Sequence, residues 1–525
     1  MTYRNPILSG FYPDPSVCRV GEDFYLVNST FAYFPGLPVF HSRDLAHWEQ
    51  IGNVIDRPGQ LDFDGASVSR GLFAPTIRYH DGRFYVVCTL VDKGGNFIVT
   101  AEDPAGPWSD PVWLDASGID PSLFFDPLDS RVWYVGTDSE PKGKTYQGEC
   151  EIYVAEFDLS SLSLKGTGIG LWRGALRDCI WAEGPHIYRI GEWLYLLHAE
   201  GGTSVNHAVC IARSKSVTGP WTGAPHNPIL THRHLGKNAP IINVGHADLF
   251  DDPDGNWRLA LLASRPFTDA RVCPLGRETF LVPVVWEDGW PFIASKSGLV
   301  ERRYPALKSE ASAFPKEPAC DFFQDSLPKH WLTLRQPKRP EDSAWKMRNG
   351  HLRLFTVAAT MNGKEHPAFA GRRVRHRDWT FTANMEWTPK AGGCAGLVVF
   401  QNEEFQYRME IYQTLGKDFV RVVRGVGTVV ANAPWEGEDV LAVRSVKLSL
   451  SFFYGKNRYS LKKLTDRIDG TILSTEYAGG FVGNVVGVFA SGDGKDIDNH
   501  ADVLWAEYTG DEDDFDAPQG GENDR

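Results

Sequence analysis

Along the first three hundred positions apolar residues alternate with polar ones in short runs, and the runs are divided by polar turns, the period of β-strands. Residues 11–27, FYPDPSVCRVGEDFYLV, show the pattern: a proline-flanked aspartate, an apolar strand, a Gly-Glu-Asp turn and an aromatic-rich strand. Four similar stretches follow: FAPTIRYHDGRFYVV from Phe73, IDPSLFFDPLDSRVWYV from Ile119, AEGPHIYRIGEWLYLL from Ala182 and GHADLFDDPDGNWRLAL from Gly245. Turn chemistry between two β-rich runs predicts a hairpin in each. The copies begin near residues 14, 74, 120, 183 and 246. That spacing, roughly 45–65 residues, suits one four-stranded propeller blade per copy. FHSRDLAHWEQIG, FIVTAEDPAGPWSDPV and CIARSKSVTGPW resemble one another and supply outer strands. Few segments carry helical periodicity. The expected fold is all-β, beginning with a five-bladed β-propeller over residues 1–300.

The repeat stops at VERRYPALKSEASAFPKEPAC, rich in charge, Ala and Pro, which places a linker at 301–318. Alternating runs such as HLRLF, FTANMEW, AGLVVF, FQYRMEIY and VKLSLSFFY then predict a β-sandwich over 319–510. Residues 511–525 are acidic and Gly-rich, the composition of a mobile tail.

Composition narrows the function. A net charge of −13 over 525 residues argues against a nucleic-acid partner or an anionic membrane surface. No apolar run is long enough to span a bilayer. The N-terminal MTYRNPILSG lacks the apolar core of a secretory signal, so the expected location is cytoplasmic, or secreted with a leader already removed. Eight scattered cysteines without a C-x-x-C pair read as free thiols rather than as zinc ligands. His226, His232 and His234 match no zinc spacing and read as loop residues.

The repeat turns isolated residues into a constellation. Equivalent positions of the innermost strands face one axis, so Asp14, Ala74, Asp120, Glu183 and His246 should converge. Crowded carboxylates cannot all ionise alike, and one is pushed to a higher pKa. A protonated carboxyl beside an ionised one is the pair used in glycoside hydrolysis. Taken singly, Asp14 and Asp120 could be Asp-Pro-Ser turn starters, Glu183 a loop charge and His246 a core histidine. Pro13-Asp14-Pro15 reads as a stiff, extended entry into its strand. The rival from another class is a carbohydrate-binding propeller without catalysis, which has no need of three convergent acids.

At these residues the chain resembles glycoside hydrolase family 43. The matching stretches are NPILSGFYPDPSVCRVGEDFYLV, FHSRDLAHW, APTIRYHDGRFYV, GIDPSLFFD, AEGPHIY, GHADLF and LGRETFL. The resemblance is strongest to members with a C-terminal concanavalin-A-like β-sandwich that act as β-xylosidases, α-L-arabinofuranosidases or both. It implies an inverting, exo-acting enzyme. Asp14 would be the general base, Glu183 the general acid, and Asp120 the carboxylate that orients the acid and keeps its pKa raised. Arg277 would bind sugar hydroxyls, or alternatively form a salt bridge with Glu278 or another carboxylate. His246 would floor the site, near a calcium ion or a water; no cofactor is required and calcium is optional. Phe31 and Phe73 match pocket walls, although many xylosidase relatives carry Trp at the second position. Phe481, in GGFVGNVVG, is either a pocket residue contributed by the sandwich or part of that domain's core. The sandwich itself would bind glycan or close the pocket. The expected substrate is a xylo- or arabino-oligosaccharide, the choice of pentose stays open, and a homo-oligomer is compatible.

Overall fold

A computed structural model of the chain describes residues 2–236, 239–267, 270–305, 317–335 and 337–511. Residues 306–316 of the expected linker and 512–525 of the expected tail lie outside the described residues. The chain divides into two units. The first runs to Pro266 and resumes at Arg277; the second holds Phe267–Gly276 and the described residues beyond 316.

The first unit is a five-bladed propeller in which every blade is a four-stranded antiparallel sheet with its strands in chain order. The innermost strands are Ser16–Val20, Thr76–His80, Ile119–Phe125, Glu183–Ile190 and Ile242–Asp251. Polar turns at Gly21-Glu22, Asp81-Gly82 and Gly191-Glu192 lead to the second strands in blades 1, 2 and 4, as the repeat predicts. Blades pack through wholly buried apolar faces, with Leu26, Leu197, Ile211, Leu261 and Phe280 among them. Such side chains stabilise by roughly 1.5–3 kcal/mol each when removed from water. The ring closes beside blade 5: Thr2–Arg4 pairs with Arg303–Pro305. Asn5 adds its side chain, donating to the Leu281 carbonyl at 2.8 Å and accepting the Leu281 N–H at 2.9 Å.

One charged cluster ties four blades together inside the channel. Asp248, fully buried, accepts from Ser16 Oγ (2.6 Å), the Val17 N–H (3.0 Å), Arg78 Nη1 (2.9 Å) and Tyr188 Oη (2.5 Å). Arg78 also reaches His186 Nδ1 at 2.9 Å. Below this plug the far ends of all five innermost strands line a cavity of about 340 Å³ with Arg19, Tyr79, Phe125, Arg189 and Asp251. The candidate acids stand at the opposite ends of those strands, so that cavity is not the reacting site.

The second unit consists of two antiparallel sheets. One has the order Trp345–Arg348, His351–Phe355, His500–Gly510, Trp379–Trp387, Val440–Val446, Ser449–Gly455. The other contains Thr428–Pro434, Lys417–Arg424, Gln406–Thr414, Cys394–Phe400, Val485–Ser491, Ala368–Arg373 and Trp331–Leu334 in that order. Trp331, Phe381, Leu397, Met409, Val443 and Val488 fill the core between them, joined by Phe267, Val272 and Leu275 of the short segment that leaves blade 5. Among the described residues the eight cysteines are unpaired thiols, and no helix is long and apolar enough to cross a membrane.

Candidate active site

The site stands where the innermost strands begin, and local backbone irregularity builds it. Asp14, Asp120 and His246 all adopt left-handed backbone, with φ of 53°, 54° and 45°. Each such residue costs of order 1 kcal/mol or more and persists only where its surroundings impose it. In blades 3, 4 and 5 strand pairing slips at these positions, between Ile119 and Ser122, between Glu183 and His186, and on both sides of Gly245. A bulge leaves one residue unpaired and re-aims its side chain. The expectation of an extended Asp14 is therefore corrected. The prolines on either side fix their own φ but not that of Asp14, and hydrogen bonds turn its carboxylate toward the axis.

Asp14 is buried, and both carboxylate oxygens are held. Ser29 Oγ donates to Oδ2 at 2.5 Å and Arg277 Nη1 to Oδ1 at 3.1 Å; His246 Nδ1 lies 4.0 Å from Oδ1. Burial pushes its pKa up, but Arg277, His246 and the Ser29 hydroxyl outweigh it and hold the group below the usual carboxylate range. Asp120, equally buried, goes the other way. Burial raises it well above the ordinary value, and the charges of Glu183 and Asp14 raise it further. Glu183, half-buried at the start of its strand, is lifted to about 7 by burial and by Asp14, against the pull of Arg277. Asp120 and Glu183 thus compete for protons while Asp14 stays ionised. The three acids interact electrostatically although 60 or more residues separate neighbours in the sequence.

Arg277 is buried, and its Nη1 also donates to Thr203 Oγ1 at 2.8 Å. Its guanidinium stands 5.9 Å from the Phe31 ring centre. The partner weighed from sequence, Glu278, is taken instead by Arg265, with Nε to Oε2 at 2.7 Å. Phe31 is buried in left-handed backbone and meets Phe73 edge-on at 5.8 Å. Ala74, at the equivalent position of blade 2, is buried and brings no chemistry. Gly184 keeps His246 in place: a Cβ there would lie 2.9 Å from the imidazole. Burial keeps His246 below its ordinary pKa. Phe481 lies in the second unit, partly buried, between Thr475–Ala478 and Val485–Ser491.

Several site residues escaped sequence reading. Ser29 and Thr203 lie outside the repeat register that marks the acids. His207 is buried near Asp14, its Nδ1 donating to the Asn243 carbonyl at 3.0 Å, and burial pushes its pKa down to about 3. Asp248 did carry a signal: it stands two residues after His246, as Ser16 stands two after Asp14, a period-2 echo on the same face.

His246 is where the sequence expectation puts a calcium ion or a water. Calcium takes six to eight oxygens, whereas His246 offers nitrogen and the neighbouring Asp14 is committed to Ser29 and Arg277. Among the described residues, three metal-competent side chains meet at His198, Glu200 and Cys210 in blade 4. There Glu200 Oε1 is already bound by His198 Nε2 at 2.8 Å and by the Ala175 N–H.

Comparison with known proteins agrees with this architecture. Residues 3–291 match glycosyl hydrolases family 43, and residues 319–509 match the beta-xylosidase C-terminal concanavalin A-like domain. A xylosidase/arabinosidase of Butyrivibrio fibrisolvens is 44% identical over 96% of this chain and 98% of its own length. A non-reducing end alpha-L-arabinofuranosidase of Bacteroides ovatus is 37% identical over 97% of this chain and 94% of its own. The crystal structure of a xylan beta-1,4-xylosidase from Bacillus halodurans superposes with a TM-score of 0.90 at 33% identity, covering 97% of this chain and all of that one. With its propeller, its acid cluster and these relatives, the chain belongs to glycosyl hydrolases family 43.

Proposed function

We propose that this glycosidase removes terminal β-D-xylose, α-L-arabinofuranose or both from hemicellulose oligosaccharides, by inversion. The observation that carries the reading is the split charge state of the acids: Asp14 held ionised by Arg277 and Ser29, Glu183 raised to about 7 in the same site. In this reading Glu183 gives its proton to the glycosidic oxygen as the bond to the anomeric carbon breaks. Asp14 takes a proton from the water that attacks the opposite face, and the sugar leaves with inverted configuration. Asp120 supports the acid by holding negative charge or a shared proton beside it. Arg277 serves twice, steadying Asp14 and hydrogen-bonding sugar hydroxyls. Phe31 and Phe73 provide apolar walls, and His246 the floor.

The relatives' names include both pentoses, so the deciding measurement is hydrolysis of aryl β-D-xyloside and aryl α-L-arabinofuranoside side by side. Turnover of at least one, with the first product formed in the opposite anomeric configuration, is expected. Turnover of neither, or a retained configuration, refutes the reading.

A further inference from the structure

Two residues before Glu183 stands Trp181, 46% exposed. Its backbone is left-handed at φ 52°, an uncommon and strained conformation for so bulky a residue. The indole is not a core residue: about half of it faces water. The surroundings nevertheless hold it firmly. The Trp181 N–H donates to the Gly148 carbonyl at 2.7 Å, and the Gly201 N–H to the Ile180 carbonyl at 2.9 Å. Tyr146 Oη donates to the Cys179 carbonyl at 2.7 Å. The buried Glu200 receives the Ala175 N–H at the start of the same loop.

The ring lies over the turn that leads to Thr203. A Cβ on Gly202 would come within 2.5 Å of it, so glycine there is what lets the indole lie flat. Thr203 in turn accepts from Arg277. An exposed aromatic ring, two residues before the acid in the chain, is therefore held against Gly202, beside the threonine that Arg277 binds, while Phe31 and Asp14 are buried. In a pocket that takes a chain end, the sugar being removed occupies the deep part and the leaving group emerges past the acid that protonates it.

We propose that Trp181 is the stacking platform for the leaving-group sugar, the pentose next to the scissile bond, so that it selects for oligosaccharide over simple glycosides. The inference rests on the glycosidase reading above. An aromatic face against the apolar face of a sugar ring buries area in a fixed orientation without needing charge. Because the contact lies on the leaving-group side, it matters only for substrates that carry a second ring.

The test compares a pentose disaccharide with the glycosyl fluoride of the sugar the parent enzyme releases, which has no second ring. Trp181→Ala should lower kcat/KM on the disaccharide by about tenfold, the effect of losing one aromatic contact, and leave the fluoride unaffected. Trp181→Phe should restore most of the loss. An equal loss on both substrates would mark Trp181 as a structural residue and overturn the platform, as would an unchanged rate on the disaccharide. A parent enzyme inert on both substrates would refute the glycosidase reading, and this inference with it.

Discussion

His246 and Asp248 stand two residues apart on one innermost strand, yet they belong to regions with opposite electrostatics. At the mouth, three carboxylates all feel the charge of Arg277, and two of them are pushed toward the protonated state. In the plug a single carboxylate, Asp248, receives Ser16, Val17, Arg78 and Tyr188, and its pKa falls far below the ordinary value despite complete burial. Asp14, Asp120 and Asp248 are all buried, so burial alone does not separate the regions; the donors and charges around each carboxylate do. The plug is a satisfied network that joins blades. The mouth crowds three carboxylates, and that crowding with burial raises Asp120 and Glu183.

The largest expected effect falls on the mouth. Glu183→Gln and Asp14→Asn should each lower turnover of a disaccharide by about 10²–10⁴-fold, the usual yield of one general acid or base, while the protein stays folded by circular dichroism. The plug should respond in the other currency. Asp248→Ala leaves Arg78 buried without its carboxylate and should cost about 3–5 kcal/mol of stability, read by denaturant unfolding, with activity lost only as the protein unfolds.

A third measurement sets the two regions against each other through pH. Glu183 has a folded pKa of about 7 against an ordinary 4.5, so the folded state binds the extra proton between those values. Its contribution is favourable below pH 4.5 and is lost as pH rises through 7. Glu183→Gln should therefore be more stable than the parent at pH 8, by up to about 3 kcal/mol for a shift of this size, and equal to it at pH 4. Asp248 has the reverse sign: its stabilisation is present above the ordinary aspartate value and disappears only in strong acid. Glu183→Gln showing no gain at pH 8 would contradict the crowding described for the mouth.

The smallest effect concerns Asp120. The upper limb of kcat/KM against pH should fall near 7, where Glu183 loses its proton. Asp120→Asn removes the carboxyl that competes with Glu183 for a proton and should shift that limb by less than about one unit, besides slowing turnover. A limb that does not move would assign Asp120 an orienting part without an electrostatic one.

The acids were legible because the blade repeat supplies a register: Asp14, Asp120, Glu183 and His246 occupy one position in four copies. Their backbone was not. Pro13 and Pro15 suggested extension, and only the coordinates show Asp14 turned into the left-handed region with its carboxylate held by Ser29 and Arg277. Trp181 and Thr203 enter from loops between strands, where length and path vary from blade to blade and no periodicity marks a partner.

Alternation and turn chemistry are local properties, and by themselves they determined that the chain forms hairpins, that the hairpins repeat as blades, and that a second β-domain follows. Charge state is not local. Whether an aspartate ends ionised, like Asp248, or pushed toward its neutral form, like Asp120, depends on how many donors from distant strands reach it once water is excluded, and that count exists only after the ring has closed.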